Sequence, residues 1–329
     1  MKQNFRALVV ARFTFVLGCL MAATGVAGQT RYPERAVKIL GGNIGGLPDT
    51  VSRVVAQKLA EIWGQPVINE NRPSAAGSVI AAESVAKSAP DGYTLLVSDG
   101  QVLITLPVIY KNLPYAPGDL VAVALAARAP LFIAVQKTLS VDTLGELIAL
   151  AKAQPAKLNY GTSGVGSTHH LSMEYIKLAL GLDIVHVPYK GSGQSVPALL
   201  SGQVQIVLSA YPSLITHAKA GTTKLLASNS LRRSVFAPEV PTVAEAANIP
   251  GYDFAPPIGF IGPASLPREL LNRISAGVAQ AVKSPEVSAK LVSLGIDPVG
   301  GSPEEYAAQI KSDRERYARA IKAAGVQAE

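Results

Sequence analysis

Only one cysteine, Cys19, and one tryptophan occur in 329 residues, and charged residues make up just 16% of the chain. A lone thiol has no partner within its own chain, so a disulfide scaffold is excluded. Intrinsic disorder is excluded by the 48% apolar content and the sparse charge. Beyond residue 28 no apolar stretch reaches the ~18 uninterrupted residues of a spanning helix, because Gly, Pro or charge breaks each one. What remains is a globular chain long enough for two domains.

The first 28 residues read differently from the rest. Lys2, Arg6 and Arg12 precede the apolar stretch Phe13 to Val26, and no acidic residue appears before Glu34. This is the pattern of a secretory signal peptide over residues 1–28. Small-residue pairs at Gly25 and Ala27, or Val26 and Gly28, suit cleavage just before Gln29. Val16-Leu17-Gly18-Cys19 is a weak lipoprotein box, disfavoured because the apolar run continues past Cys19. The leader carries three of the 30 basic residues and none of the 23 acidic ones, so the remainder has a formal charge of +4. So small a balance argues against a nucleic-acid partner. Lys311, Arg314, Arg316, Arg319 and Lys322 cluster in the last helical segment behind Glu304 and Glu305. Acid first and base last complements the helix dipole, and predicts a solvated terminal helix.

From Arg35 onward short β-rich runs alternate with helical patterns. Strands are predicted at Ala36–Leu40, Pro66–Asn69, Tyr93–Val97, Val121–Leu125, Leu131–Val135, Lys157–Tyr160, Ile184–Val187, Val204–Leu208 and Leu225–Ala227. A helix opens at Asp49 with Val51, Val55, Leu59 and Ile62 on one face, and Gly64 ends it. The region from Pro238 to Pro267 reads as proline-punctuated loops, followed by helices near Arg268–Lys283, Glu286–Leu294 and Pro303–Ala324. Alternation of this kind argues for α/β sheets with helices on both faces.

Two strand-to-helix joints are rich in glycine. The first is Gly41-Gly42-Asn43-Ile44-Gly45-Gly46-Leu47-Pro48-Asp49, and the second is Gly161-Thr162-Ser163-Gly164-Val165-Gly166-Ser167-Thr168. Such joints let the backbone approach a ligand at a helix N-terminus, although glycines also serve simply to make tight turns. The second misses the phosphate loop G-x-x-x-x-G-K-[ST] only at Ser167, which stands where the lysine belongs. Amides, hydroxyls and a helix dipole without a fixed cation suit a carboxylate better than a triphosphate.

Hydrolase signatures fail. Gly161-Thr162-Ser163-Gly164-Val165 has valine where a nucleophile elbow needs its last glycine. H-E-x-x-H is absent, and adjacent His169 and His170 point ~100° apart on a helix, poor geometry for one metal. His170 is spaced i,i+4 from Glu174 and His186 ends a strand before Pro188, so structural hydrogen bonding is expected of both. No cofactor and no metal is called for.

Asn71-Arg72-Pro73 with Ala76-Gly77, Ala89-Pro90-Asp91-Gly92-Tyr93-Thr94-Leu95-Leu96, Leu113-Pro114-Tyr115, Gly164-Val165-Gly166-Ser167 with His170-Leu171, His186-Val187-Pro188-Tyr189-Lys190-Gly191, and Pro241-Thr242 with Glu245 follow in order. Together they resemble the extracytoplasmic solute-binding proteins of tripartite tricarboxylate transporters, the Bug type, over essentially the whole mature chain. The resemblance implies a periplasmic-binding-protein type II-like fold. Two doubly wound α/β domains would be joined by two hinge crossings and would close over a small carboxylate for delivery to a membrane permease. Carried over by position, the ligand-binding candidates are Gly45 and Gly46 with Asp49 as helix cap, Ser98 and Asp99, Ser163, Gly166 and Ser167, and Ser209, Ala210 and Tyr211.

This chain departs from the family pattern in three places. Gly41, Gly42, Asn43 and Ile44 replace the usual prolines and aromatic of the first loop, Ser209 replaces a frequent acid, and a common tryptophan around Pro256 and Pro257 is missing. Ser209 offers no negative charge to an ammonium group. The expected layout is domain 1 from 29–127 and 228–329, domain 2 from 128–227, and hinges near Ala126–Leu131 and Ala227–Asn229. The expected function is that of a monomeric, non-enzymatic periplasmic receptor for a di- or tricarboxylate or an aromatic acid. The alternatives are a ligand sensor docking on a membrane signalling partner through its basic terminal helix, and a secreted hydrolase or isomerase using His170 and a nearby serine.

Overall fold

The computed structural model describes residues 32–42, 44–72, 78–189 and 191–326. The leader with its cleavage site and Cys19, Asn43, the segment 73–77 and Lys190 lie outside the described residues. The architecture below is that of the contact unit beginning at Arg35.

In chain order, β1 (Val37–Gly41), β2 (Val67–Asn71), β3 (Thr94–Ser98) and β4 (Leu120–Arg128) enter a first sheet. β5 (Leu131–Gln136), β6 (Asn159–Thr162), β7 (Val185–Pro188), β8 (Ile206–Ala210) and β9 (Thr223–Ser228) build a second. β10 (Pro257–Pro263) and β11 (Asp297–Gly301) return to the first. The strand orders are β11-β4-β10-β3-β1-β2 and β7-β6-β8-β5-β9. β3, β1 and β2 are parallel, as are β8, β6 and β7. Each of those parallel strands is followed by a helix that returns the chain across a sheet face, the connection such pairing requires.

Local signals account for most element ends. In the helix Leu47–Trp63, Val51, Val55 and Leu59 are buried, and Gly64 closes it in the left-handed conformation with its amide on the Ala60 carbonyl. The helix Arg268–Lys283 lies where the sequence places it.

The stretch read as loop from Pro238 to Pro267 holds β10, which is buried along its whole length and flanked by β3 and β4. Its sequence, PIGFIGP, hides it, because prolines bound it and glycines interrupt it. Tertiary packing explains the glycine: a Cβ on Gly259 would lie 2.4 Å from the Tyr306 ring and 2.6 Å from the Ala124 carbonyl oxygen. β11, with sequence DPVGG, was hidden in the same way.

The last helix, Pro303–Ala323, is also not the solvated helix expected. Tyr306, Ile310, Asp313, Arg316, Tyr317, Ala320 and Ile321 are buried. Two of its basic residues turn inward: Arg314 donates to the Leu103 carbonyl, and Arg316 pairs with Asp313 and donates to the Gly251 carbonyl. Its face packs on β4 of the first sheet and on the helix Thr168–Leu180 beside the second.

The chain leaves the first sheet at Arg128 and enters the second at Leu131, and it leaves the second at Ser228. Asn229, fully buried, ties these passages together. Its Oδ1 accepts the Leu131 amide at 2.8 Å, its own amide donates to the Leu131 carbonyl, and its Nδ2 donates to the Phe254 carbonyl at 3.0 Å. Beside it Arg128 donates to Asp253 and to the Ala255 carbonyl.

Candidate functional site

Strand direction alone places the candidate residues. β4 runs parallel to β3, because both pair antiparallel with β10, so the C-terminal ends of β1, β3 and β4 lie on one edge of the first sheet. In the second sheet β6, β8 and β9 end on one edge, the edge where β5 begins. Only Ala129 and Pro130 separate β4 from β5. The two C-terminal edges therefore meet at the passage between sheets, where open α/β folds bind ligands. Gly45, Gly46 and Asp49 follow β1, Ser98 ends β3 with Asp99 after it, Ser163, Gly166 and Ser167 follow β6, and Ser209 and Ala210 end β8 with Tyr211 opening the next helix.

At the first joint the helix cap is Gly46, not Asp49. Asp49 sits inside the first turn, is 5% exposed, and reaches back so that its Oδ2 accepts the Gly45 amide at 2.9 Å. Arg53 Nε donates to the same oxygen at 3.0 Å, and Asn71 Nδ2 donates to Oδ1 at 3.0 Å. Burial pushes the carboxyl up, but the Arg53, Gly45 and Asn71 bonds outweigh it and hold the group below its ordinary range. Asp49 therefore braces the loop as a carboxylate.

At the end of β3, buried Ser98 accepts the Gly100 amide at 3.2 Å. Asp99 accepts from Gln101 Nε2 at 2.8 Å, and burial pushes its carboxyl up.

The second joint is held by histidines. Ser163 Oγ lies 2.8 Å from His169 Nδ1. Gly166, at φ +75°, donates its amide to His170 Nδ1 at 3.1 Å. Ser167 caps the following helix by accepting the His170 amide at 3.3 Å, and its hydroxyl donates to the Gly164 carbonyl at 2.7 Å. Two expected ligand donors, the Gly166 amide and the Ser167 hydroxyl, are thus engaged internally. Among the described residues the amides of Val165, Thr168 and His169 make no hydrogen bond. They are the donors left at this helix start, and the Ser163 hydroxyl joins them where His169 Nδ1 carries the proton of their bond.

On β8, Ser209 is fully buried opposite Phe132, and its Oγ has no partner among the described residues. The Tyr211 ring packs on Phe132 at 5.4 Å and on Phe236 at 4.8 Å, making it a wall of the edge. Tyr211 and Pro212 also abut Gly295, which lies just before β11, so the layers built on the two sheets touch there.

Sequence reasoning expected His170 to pair with Glu174. Those groups stand 4.0 Å apart, and the shorter contact of His170 is with Gly166. The serine contact proposed for a hydrolytic His170 belongs to His169 instead. The roles of Arg53, Asn71 and Asn229 were missed, because nothing in local sequence ties them to a joint. Among the described residues no group of three His, Cys, Asp or Glu assembles to hold a metal, and no helix is long and apolar enough to cross a membrane.

The family model described as "Tripartite tricarboxylate transporter family receptor" (TctC) matches residues 51–326. BugT of Bordetella pertussis is 32% identical over 322 residues, covering 96% of this chain and 98% of BugT. A solved Rhodopseudomonas palustris protein with adipate superposes with a TM-score of 0.73 at 33% identity, covering 91% of this chain and 100% of that one. MatC from the same organism, with bound malate, gives 0.68 at 27% identity, covering 88% and 100% respectively.

Proposed function

This chain belongs to the tripartite tricarboxylate transporter receptor family, a family of solute-binding receptors and not of enzymes, and from that premise we propose that it captures a small organic carboxylate in the periplasm for such a transporter. The observation that carries the reading is the second joint, where, among the described residues, the amides of Val165, Thr168 and His169 have no hydrogen-bond partner at a helix start and Ser163 stands beside them on His169. A carboxylate there collects hydrogen bonds from fixed donors and replaces its water shell with them. The neighbours solved with adipate and malate carry the same fold and support a ligand of that size.

Residues 1–28 act as the export signal, and the mature chain works as a monomer with permease subunits. Domain 1 comprises 29–127 with 228–329, and domain 2 comprises 128–227. The Arg128–Leu131 and Ser228–Asn229 passages are the hinges. Closing about them brings both edges onto one anion, so ligand shifts the equilibrium through its higher affinity for the closed form.

The test is a thermal-shift screen of the mature protein against di-, tri- and aromatic carboxylates, with identification of any co-purified acid. A ligand at about 100 times its Kd adds about 2.7 kcal/mol and raises the midpoint visibly. Recovery of one acid unchanged would support capture. The absence of any shift in folded, ligand-free protein would remove the carboxylate assignment. Ser163→Ala is expected to weaken binding about tenfold with little change in unfolding midpoint.

A further inference from the structure

Three histidines stand behind the second joint, each holding a different part of it. His169 Nδ1 holds the Ser163 hydroxyl, His170 Nδ1 holds the Gly166 amide, and His186 Nε2 lies 2.7 Å from Thr162 Oγ1. The rings of His170 and His186 stack with centroids 4.0 Å apart and planes 17° apart, and Tyr160 stacks on His186 at 4.9 Å. This column spans residues 160 to 186, so the loop rests on side chains from β6, from the helix that follows it and from β7.

The chemistry of the Gly166 bond is restrictive. A backbone N–H donates to an imidazole nitrogen only when that nitrogen carries no proton, so His170 is neutral with its proton on Nε2. Among the described residues the charged and titratable groups facing the column are Glu174 and Lys177. Glu174 lies 4.0 Å from His170 Nε2, but its carboxylate already binds Lys177 Nζ at 2.6 Å and the Tyr160 hydroxyl. Lys177 sits 5.4 Å from the Tyr160 ring centre. From the last helix, Tyr317 donates to the Phe254 carbonyl at 3.2 Å. Glu174 is thus shared with an ammonium group and is a weak counter-charge for a protonated imidazole, and two stacked rings at 4.0 Å do not both carry charge without repulsion. Burial lowers the pKa of His170, and burial together with His170 lowers that of His186 to about 4.

We propose that His170 is the positioning residue of the second joint: its unprotonated Nδ1 holds the Gly166 amide and so keeps residues 163–168 in anion-binding shape, and its protonation frees the loop and the ligand. The release of ligand rests on the receptor reading above, and the holding of the loop does not. The device makes capture firm at neutral pH and weak in acid, without any titratable group touching the ligand.

The deciding measurement is amide hydrogen exchange of Gly166 by NMR on the ligand-free protein, from pH 7 to pH 4, in wild type, His170→Asn and His170→Phe. Asn places an oxygen acceptor near the former Nδ1 and does not titrate, whereas Phe keeps a ring and removes the acceptor. Wild type is expected to protect Gly166 at pH 7 and to lose about tenfold of that protection as His170 protonates, after correction for intrinsic rates. His170→Asn should keep protection at every pH, and His170→Phe should lack it at every pH. Equal Gly166 exchange in wild type and His170→Phe, or a wild-type pH profile retained in His170→Asn, overturns the proposal.

If the Phe variant fails to fold, the Asn variant and the tautomer of His170, read from its ring nitrogen shifts, still decide it: a proton on Nδ1 at pH 7 is incompatible. Affinity for adipate and malate separates the two readings. If exchange follows the expected pattern and no acid of the di-, tri- and aromatic carboxylate screen binds, the carboxylate assignment fails while the positioning role stands. If an acid binds His170→Phe as tightly as wild type, the positioning role fails and the receptor stands.

Discussion

At the first joint the turn is fastened by charge: an almost fully buried Asp49 carboxylate collects the Gly45 amide, Arg53 and Asn71. At the second the fasteners are imidazoles that bear no charge, with His170 on Gly166, His169 on Ser163 and His186 on Thr162. Both joints follow parallel strands, both rely on glycine at positive φ, and both open a helix. The difference lies in what stands behind the turn. An anion approaching the first joint meets a helix start whose dipole is already answered by Asp49, whereas the second presents unanswered amides. The pair teaches that two glycine joints of similar appearance are fastened differently, one by a buried carboxylate that answers its helix start and the other by imidazoles that leave helix amides without a partner.

Variants at each joint test the contrast. The largest effect is expected from Asp49→Ala, which removes an acceptor of three bonds and should cost about 3 kcal/mol in urea unfolding. Its NMR perturbations should stay at the first joint, and loosening of Gly166 in the same variant would erase the distinction.

Acid comes next. His169 and His186 are each lowered by burial from 6.5 to about 4, so the unfolded chain binds protons first and stability is lost as pH falls from about 6.5 toward 4. Asp313 works in the opposite direction over the same range. Burial raises it to about 6, so the folded chain takes up that proton first and gains stability. The difference in midpoint between wild type and His186→Asn isolates the histidine part, and a difference that does not change with pH would contradict it.

Ser167→Ala removes a helix cap and should cost about 1 kcal/mol, with its effect at the second joint alone. The smallest effect is expected from Arg53→Ala. Its side chain is 52% exposed, so solvent screens the pair and the loss in midpoint is small, shrinking further in 0.5 M salt. A larger, salt-insensitive loss would show that Arg53 does more than neutralise Asp49.

Much of the frame was legible before any coordinates, for local reasons. The helix Arg268–Lys283 repeats its apolar positions at helical spacing, and Leu131 to Val135 is a run of bulky apolar residues that is buried on both faces. β10 was illegible because its identity as a strand comes from neighbours. Gly259 exists to admit Tyr306 from a helix more than forty residues later, and nothing within PIGFIGP announces that partner. The last helix was misread for the same reason: its charge order satisfied the dipole, while Asp313 and Arg316 were destined for burial against Gly251 and Gln309. At the site, the sequence pointed to Gly166 and Ser167, and the internal partners of both, His170 Nδ1 and the Gly164 carbonyl, come from the folded loop.

The sequence by itself determined the alternation of strands and helices, the positions where glycine lets the backbone turn, and the family to which their order belongs. Those are properties of residues close in the chain, where steric preference and apolar periodicity act. Only the tertiary structure decided which donors remain for a ligand. A hydrogen bond is spent on whichever partner the fold brings near, and for Thr162, Asp49 and Leu131 those partners are His186, Asn71 and Asn229, each more than twenty residues away.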